Sequence, residues 1–167
     1  MKVGIISDTH DHLPNIGKAI KIFQAEKIDA LIHAGDFIAP FALAPFKALD
    51  VPKYFVFGNN DGERAGLQAR AAEQGFEIQN RHYQFELGGA KFMIDHYPIE
   101  LAELAAKFPD RRFVITGHTH RFKIETIAAT GGLSINPGEA CGYVERQNLL
   151  GLLELPAGEY RSVEIPQ

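Results

Sequence analysis

Five short apolar runs punctuate this 167-residue chain, and each is followed at once by polar residues: VGII (3–6), ALIHA (30–34), YFVF (54–57), KFMI (91–94) and FVIT (113–116). Runs of this length, rich in Val, Ile and Phe and closed by Gly, Asp or Asn, read as buried strands rather than helices. Between the first two lies LPNIGKAIKIFQAEKI, where Leu13, Ile16, Ile20 and Phe23 recur at helical spacing and Pro14 suits a first helical turn. Strand, helix, strand, helix, strand through the first half argues for parallel βαβ units. Further helices are expected at 98–108, with Leu101, Leu104, Ala105 and Phe108 on one face, and over the Ala-rich 62–74. Phe41 to Leu49 reads as a short helix broken by Pro45.

The second half has a different rhythm. RHYQFEL alternates, Gly88-Gly89 supplies a hairpin turn, and AKFMIDHY returns. Beyond residue 120, RFKIETIA, GGLSIN, NLLGLLEL and YRSVEIP read as consecutive antiparallel strands. The expected class is α/β with a second, more antiparallel sheet, in one domain covering 1–167, since a chain this long buries roughly 70% of the surface its unfolded form exposes.

Composition narrows the partners. With 46% hydrophobic and 23% charged residues and a net charge of −4, the chain has no basic field to hold a long nucleic acid. Cys141 is the only cysteine, which excludes an internal disulfide and any four-cysteine metal site. The opening MKVGIISDTH carries no apolar region of signal-peptide length, and no membrane span follows, so a cytoplasmic protein is expected.

Polar residues gather where the apolar runs stop: Ser7-Asp8-Thr9-His10, Gly35-Asp36, Gly58-Asn59-Asn60-Asp61, Asp95-His96 and Gly117-His118-Thr119-His120. Open α/β sheets bind ligands at the carboxyl ends of their strands, so these five ends point to one crevice. Each cluster alone has a plainer meaning: Gly-Asp and Gly-Asn-Asn-Asp are turn signals, and His96 alone suits a hydrogen-bonded structural histidine. Independent turns, however, need not all carry Asp, His or Asn. Asp8/His10 and His118/His120 are spaced two apart, and extended backbone would put both members of each pair on one side, as a metal site needs. Glycine before Asp36, Asn59 and His118 lets the chain turn sharply there.

Read in order, DTH (8–10), GD (35–36), GNND (58–61), DH (95–96) and GHTH (117–120) resemble the calcineurin-like metallophosphoesterases, in particular their small single-domain branch of bacterial and archaeal phosphodiesterases. The resemblance runs from the first strand through the NPG at 136–138. It implies an α/β/β/α sandwich of two mixed sheets, a dimetal centre and a homo-oligomer, dimer or tetramer. It also implies a hydrolase acting on small phosphodiesters, with a hydroxide bridging the metals as nucleophile. Carried over, it assigns Asp8, His10, Asp36 and His120 to one ion and Asp36, Asn59, His96 and His118 to the other, with Asp36 shared. Asp36, Asn59 and His96 are then the core of the catalytic centre. Imidazole and oxygen donors without thiolate suit manganese, the expected ion, or nickel, iron, cobalt or zinc. Two dications against two aspartates and a hydroxide leave about +1, which suits a diester monoanion.

The chain departs from the pattern twice. The wider superfamily carries histidine after the metal-binding Asn; here Asn60 stands there, able to contact substrate but not to supply a proton. Relatives commonly show His-Gly-His where this chain has His96-Tyr97-Pro98, so Tyr97 is expected to crowd or line the pocket. His12 is either a solvent-exposed loop residue or a phosphate contact, and His33 either a partner of the site or a core histidine. His82 is expected to be exposed, Cys141 buried, and Arg121 an exposed sheet-edge residue or a phosphate contact. Two other functions compete. The resemblance includes a retromer subunit that uses this fold to dock proteins, which would make any metal structural, but here all seven ligand positions are filled. A phosphomonoesterase would need more positive charge around a dianion than flanks these motifs.

Overall fold

The computed structural model describes residues 1–166. In the first half, β1 (Lys2–Ile6), β2 (Ala30–His33), β3 (Lys53–Val56) and the short β4 (Ile78–Gln79) run parallel to one another. Helix α1 (Leu13–Glu26) connects the first two, and α2 (Arg64–Ala72) precedes β4. Two late strands, β10 (Leu149–Glu154) and β11 (Glu159–Glu164), join the free side of β1 antiparallel, giving the order β11-β10-β1-β2-β3-β4. The second sheet comprises β5 (Tyr83–Leu87), β6 (Ala90–Ile94), β7 (Phe113–Ile115), β8 (Lys123–Ile127) and β9 (Gly132–Asn136), in the order β5-β6-β7-β9-β8.

Side-chain alternation sorts the core into three layers of packing. Val3, Ile5, Ala30 and Ile32 of the first sheet meet Phe92, Ile94, Phe113, Ile115 and Ile135 of the second. The opposite faces carry Ile6 and Leu31 against Ile16, Ile20 and Phe23 of α1, and Met93 and Val114 against Leu104 of α3 (Leu101–Lys107). The result is the expected four layers, α/β/β/α. Helix α1 lies directly on β1 because Gly4 leaves room: a Cβ there would come within 2.8 Å of the Phe23 ring. Phe23 is fully buried, and truncating it to alanine is expected to cost about 3–5 kcal/mol.

Several expectations need correction. The strands after residue 120 are not a simple antiparallel series. Strand β9 pairs antiparallel with β8 but parallel with β7, and β10 crosses to the other sheet. The helices expected at 98–108 and 62–74 are shorter, Leu101–Lys107 and Arg64–Ala72. Pro45 does not break its segment: residues Pro40–Ala48 form a continuous 3-10 helix through it.

Candidate metal centre

The parallel strands deliver their carboxyl-end loops to one rim, where the loops are laced together through the backbone. Asp8 N–H donates to Gly35 O (3.0 Å) and His10 N–H to Asp36 O (3.0 Å), tying the loop after β1 to that after β2. The Asp61 carboxylate accepts from Asp36 N (3.1 Å), Ile38 N (2.8 Å) and Gly58 N (2.7 Å), tying the loop after β2 to that after β3. On the other sheet Gly117 N–H donates to His96 O (2.9 Å). The two sheets meet where the His118 N–H donates to both oxygens of Asp8 (3.2 Å each) and Cys141 N–H to Asp8 O (3.1 Å).

The way the paired residues reach one side differs from the expected extended backbone. Strands β1 and β7 end at Ile6 and Ile115, and Asp8 (φ 52), His10 (φ 41), Asp36 (φ 61), His118 (φ 67) and His120 (φ 64) are all left-handed. Such conformations are strained for residues with a Cβ and concentrate at functional sites. Glycine enters for a different reason, close approach. A Cβ on Gly58 would collide with Asp36, and one on Gly117 with Ser7 and Asp8.

All seven candidate ligands point into the same small volume. His10 Nε2 stands 3.5 Å from Asp36 Oδ2 and 4.0 Å from Asp8 Oδ1. His120 Nε2 is 3.7 Å from Asp8 Oδ1, and His96 Nε2 is 3.4 Å from Asp36 Oδ2. Asn59 Oδ1 lies 2.9 Å from His96 Nε2 and 2.8 Å from His118 Nδ1.

Two imidazole tautomers follow from the partners. Ala34 O, 2.7 Å from His96 Nδ1, can only accept, so His96 carries its proton on Nδ1. Glu139 Oε2 does the same for His120 Nδ1 at 2.7 Å. In the neutral imidazoles both Nε2 lone pairs then face the carboxylates and the Asn59 oxygen, acceptor against acceptor, a gap that only a proton or a cation fills. His10 Nε2 is buried among them with no hydrogen-bond partner. A cation resolves this arrangement, and these residues fit one.

The titration of the site points the same way. Burial raises the Asp8 carboxyl above its ordinary range. Burial also pushes Asp36 up, but the His96 hydrogen bond and charge and the two Asn60 donors outweigh it, holding Asp36 well below the usual range. Burial pushes the His96 imidazole down, and the neighbouring Asp36 more than reverses this, leaving it raised. Without metal, a proton takes the cation's place.

Other residues fall into place around this centre. Asn60 donates its side-chain amide to Asp36 Oδ2 (2.7 Å), so its amide acts on that carboxylate. Tyr97 packs its ring against His118 (4.8 Å between centroids) and His96 (5.5 Å). His33 is fully buried, meeting Thr9 Oγ1 (3.1 Å) and accepting from Gly35 N (3.1 Å), beneath the site. His12 is half-buried and caps α1, its Nδ1 accepting from Asn15 N (3.1 Å). His82 is half-buried, 3.0 Å from Asp95 Oδ2, rather than exposed. Arg121 is exposed and paired with Glu145 (2.9 Å). Cys141 is buried as expected, but lies near His10 and His120; burial pushes its thiol up to about 12, and it donates to Glu139 Oε2 (3.3 Å). Sequence reasoning missed Glu139 and the bridging role of Asp61. Position gave one clue to Glu139, directly after the NPG turn.

The fold and this cage define the class. The sequence profile of the calcineurin-like phosphoesterase superfamily domain matches residues 1–157, and the chain belongs to that superfamily. It is 41% identical over 165 residues to a phosphodiesterase of Methanocaldococcus jannaschii, covering 98% of both chains. The solved structure of an archaeal phosphodiesterase superposes with a TM-score of 0.89 at 40% identity, covering 98% of this chain and 99% of that one. The fold alone is shared with a phosphoesterase from E. coli (TM-score 0.68, 17% identity, 99% and 100% covered). It is shared likewise with zinc-complexed Vps29 of Entamoeba histolytica (TM-score 0.69, 17% identity, 99% and 100% covered).

Proposed function

We propose that this chain is a metal-dependent phosphodiesterase acting on small phosphodiesters, working as one unit over residues 1–167. Asp8, His10, Asp36 and His120 hold one divalent ion, and Asp36, Asn59, His96 and His118 the other. The observation that carries the reading is the cage itself: the Nε2 atoms of His10, His96 and His120 are directed at carboxylate and amide oxygens, and His10 Nε2 is buried there with no hydrogen-bond partner. Membership of the phosphoesterase superfamily and the archaeal relatives support the reaction class. When bound, two such ions supply Lewis acidity toward phosphoryl oxygens and a water acidic enough to attack phosphorus at neutral pH.

The protein's own groups do the rest. Asp36 is fixed from three sides, by the Asn60 N–H (2.9 Å), the Asn60 amide (2.7 Å) and, through its backbone N–H, Asp61. Asn59 brings an oxygen without a charge, so the site keeps an excess of positive charge suited to a monoanionic diester. Because Asn60 cannot donate a proton, the leaving oxygen departs unassisted at that position, which favours aryl over alkyl leaving groups.

Manganese is the ion this reading expects, since imidazole and oxygen donors dominate and the neighbouring Cys141 thiol stays protonated. A cytoplasmic location goes with the single cysteine, and a dimer or tetramer with the family resemblance; the native metal content and light scattering test the metal and the assembly. The decisive assay incubates the protein with bis(p-nitrophenyl) phosphate and with p-nitrophenyl phosphate, across a metal panel and with chelator. Turnover is expected on the diester, dependent on metal and abolished in Asp36→Ala. Turnover that survives chelation, or exceeds this on the monoester, would sink the reading.

A further inference from the structure

Beside the metal centre lies a cavity of about 490 Å³ whose charge runs against that of the molecule. The chain carries 21 Asp and Glu against 17 Lys and Arg, yet no carboxylate side chain among the described residues lines this cavity. Its polar walls are His12, Lys18, Arg146 and Asn148, with the ring of Tyr143 at the side. The contrast with the other large cavity, about 500 Å³ behind the GHTH loop, is direct. There Glu100, Glu125 and Glu145 line the wall, and both cations are neutralised, Arg121 by Glu145 (2.9 Å) and Lys123 by Glu125 (2.8 Å).

From this we infer that the cavity is a subsite for a second phosphate, carried on the ester arm that the enzyme retains when the other arm leaves. The inference rests on the phosphodiesterase reading and narrows its substrate class. Three features support it. His12 accepts at Nδ1 from Asn15 N–H (3.1 Å), so its proton sits on Nε2 and makes that atom a donor. The guanidinium of Arg146 meets no carboxylate among the described residues, and its backbone N–H is anchored on Glu139 Oε1 (3.0 Å), which holds the segment against the centre. Lys18 adds a charge while its ammonium rests on Pro166 O (2.8 Å). Cys141 joins the two places: it lines the cavity, and its sulfur lies within 4.8 Å of ligand nitrogens of His10 and His120. A diester phosphorus at the metals therefore has a basic, donor-lined recess alongside it, and planar, bidentate-capable Arg146 is the natural phosphate contact.

The test compares two esters with the same leaving group, thymidine 5′-(p-nitrophenyl phosphate) and its 3′-phosphorylated counterpart, on the metal-loaded full chain. The added phosphate is expected to raise kcat/KM roughly tenfold to hundredfold, chiefly through KM. Arg146→Gln and Lys18→Gln together should erase that advantage. In parallel, the chelated protein is titrated with thymidine 3′,5′-bisphosphate and thymidine 5′-monophosphate while the His12 imidazole and Arg146 guanidinium resonances are followed by NMR. Tighter binding of the bisphosphate, with shifts at both residues, supports the subsite whatever the metals do. If both esters are cleaved at equal efficiency, the subsite is wrong and the phosphodiesterase reading stands. If neither ester is cleaved, that reading fails, and the chelated titration alone decides the subsite: equal binding of the two nucleotides overturns it.

Discussion

Replacing Glu139 by glutamine tests whether the centre depends on a carboxylate that touches no ligand position directly except through one imidazole. Glu139 is fully buried, and burial alone would raise its carboxyl. The His120 hydrogen bond, three backbone N–H groups and the Cys141 thiol outweigh that, so it is ionised and only accepts. Oε1 takes the N–H groups of Glu145 (2.7 Å) and Arg146 (3.0 Å), and Oε2 takes His120 Nδ1 (2.7 Å) and the Cys141 thiol (3.3 Å). Glutamine has one acceptor oxygen, which the backbone donors claim. Its NH2 then faces His120 Nδ1, donor against donor, and the imidazole must shift its proton to Nε2, the atom 3.7 Å from Asp8 Oδ1.

The variant should therefore weaken the ion on the His120 side by roughly 10- to 100-fold, the usual effect of losing such a supporting partner, or about 1.4–2.7 kcal/mol. Loss of one charge-assisted hydrogen bond should lower stability by about 1.5–3 kcal/mol, and a chain this size loses about 2–4 °C of Tm per kcal/mol. Chelator-competition titration with manganese should show two sites in the wild type and one retained at full affinity in Glu139→Gln, because Asn59, His96 and His118 make no contact with Glu139. Nitrogen-15 NMR of the metal-free protein reads the tautomer directly, with the His120 proton on Nδ1 in the wild type and on Nε2 in the variant. Two sites of unchanged affinity with the proton still on Nδ1 would refute the reasoning.

Three shorter predictions accompany it. His33 is buried with its pKa held well below 6.5 by desolvation. The folded state thus refuses a proton that the unfolded state takes up, and stability present above pH 6.5 is lost as pH falls, by up to about 1.4 kcal/mol per unit from this group. Denaturant titrations from pH 7 to 5 should show a steeper fall in wild type than in His33→Gln. Metal affinity should rise with pH through the raised His96 pKa, since the ion displaces the proton there; calorimetry in buffers of different ionisation enthalpy should detect proton release, and its absence would contradict the cage. Cys141, its thiol pushed up to about 12, should resist iodoacetamide at pH 8 in the folded protein and react at the ordinary rate once unfolded.

What the sequence made legible, and what it hid, divides by kind of interaction. Asp8, His10, Asp36, Asn59, His96, His118 and His120 stand out because side-chain type carries the chemistry and the apolar runs fix where each loop begins. Strand direction is poorly encoded: GGLSIN suits a β-strand either way, and β9 lies parallel to β7 only because the hairpin partner β8 intervenes. The roles of Glu139 and Asp61 were hidden for another reason, although Asp61 stands in GNND and Glu139 follows NPG. Their partners are mostly backbone N–H groups, which every residue but proline owns, so the acid itself does not tell what it holds.

Those less visible acids also hold part of the backbone that sequence reasoning got wrong. Propensity reserves left-handed conformations for glycine and asparagine, yet five candidate ligands adopt them, at a cost of about 1 kcal/mol or more each. Ile38 (φ 87), a β-branched residue, is more strained still, and its N–H is clamped by Asp61 Oδ1 at 2.8 Å. Asp61 holds the chain around Asp36, and Glu139 anchors the segment beneath His120 by three successive N–H groups. Each does so from a buried position where its only compensation is hydrogen bonding. The ligand types can thus be read one by one from the chain, but their convergence rests on main-chain hydrogen bonds between loops, to which these two carboxylates add theirs. Removing either should loosen the centre before it unfolds the sheets, because the three hydrophobic layers that hold the strands contain neither residue.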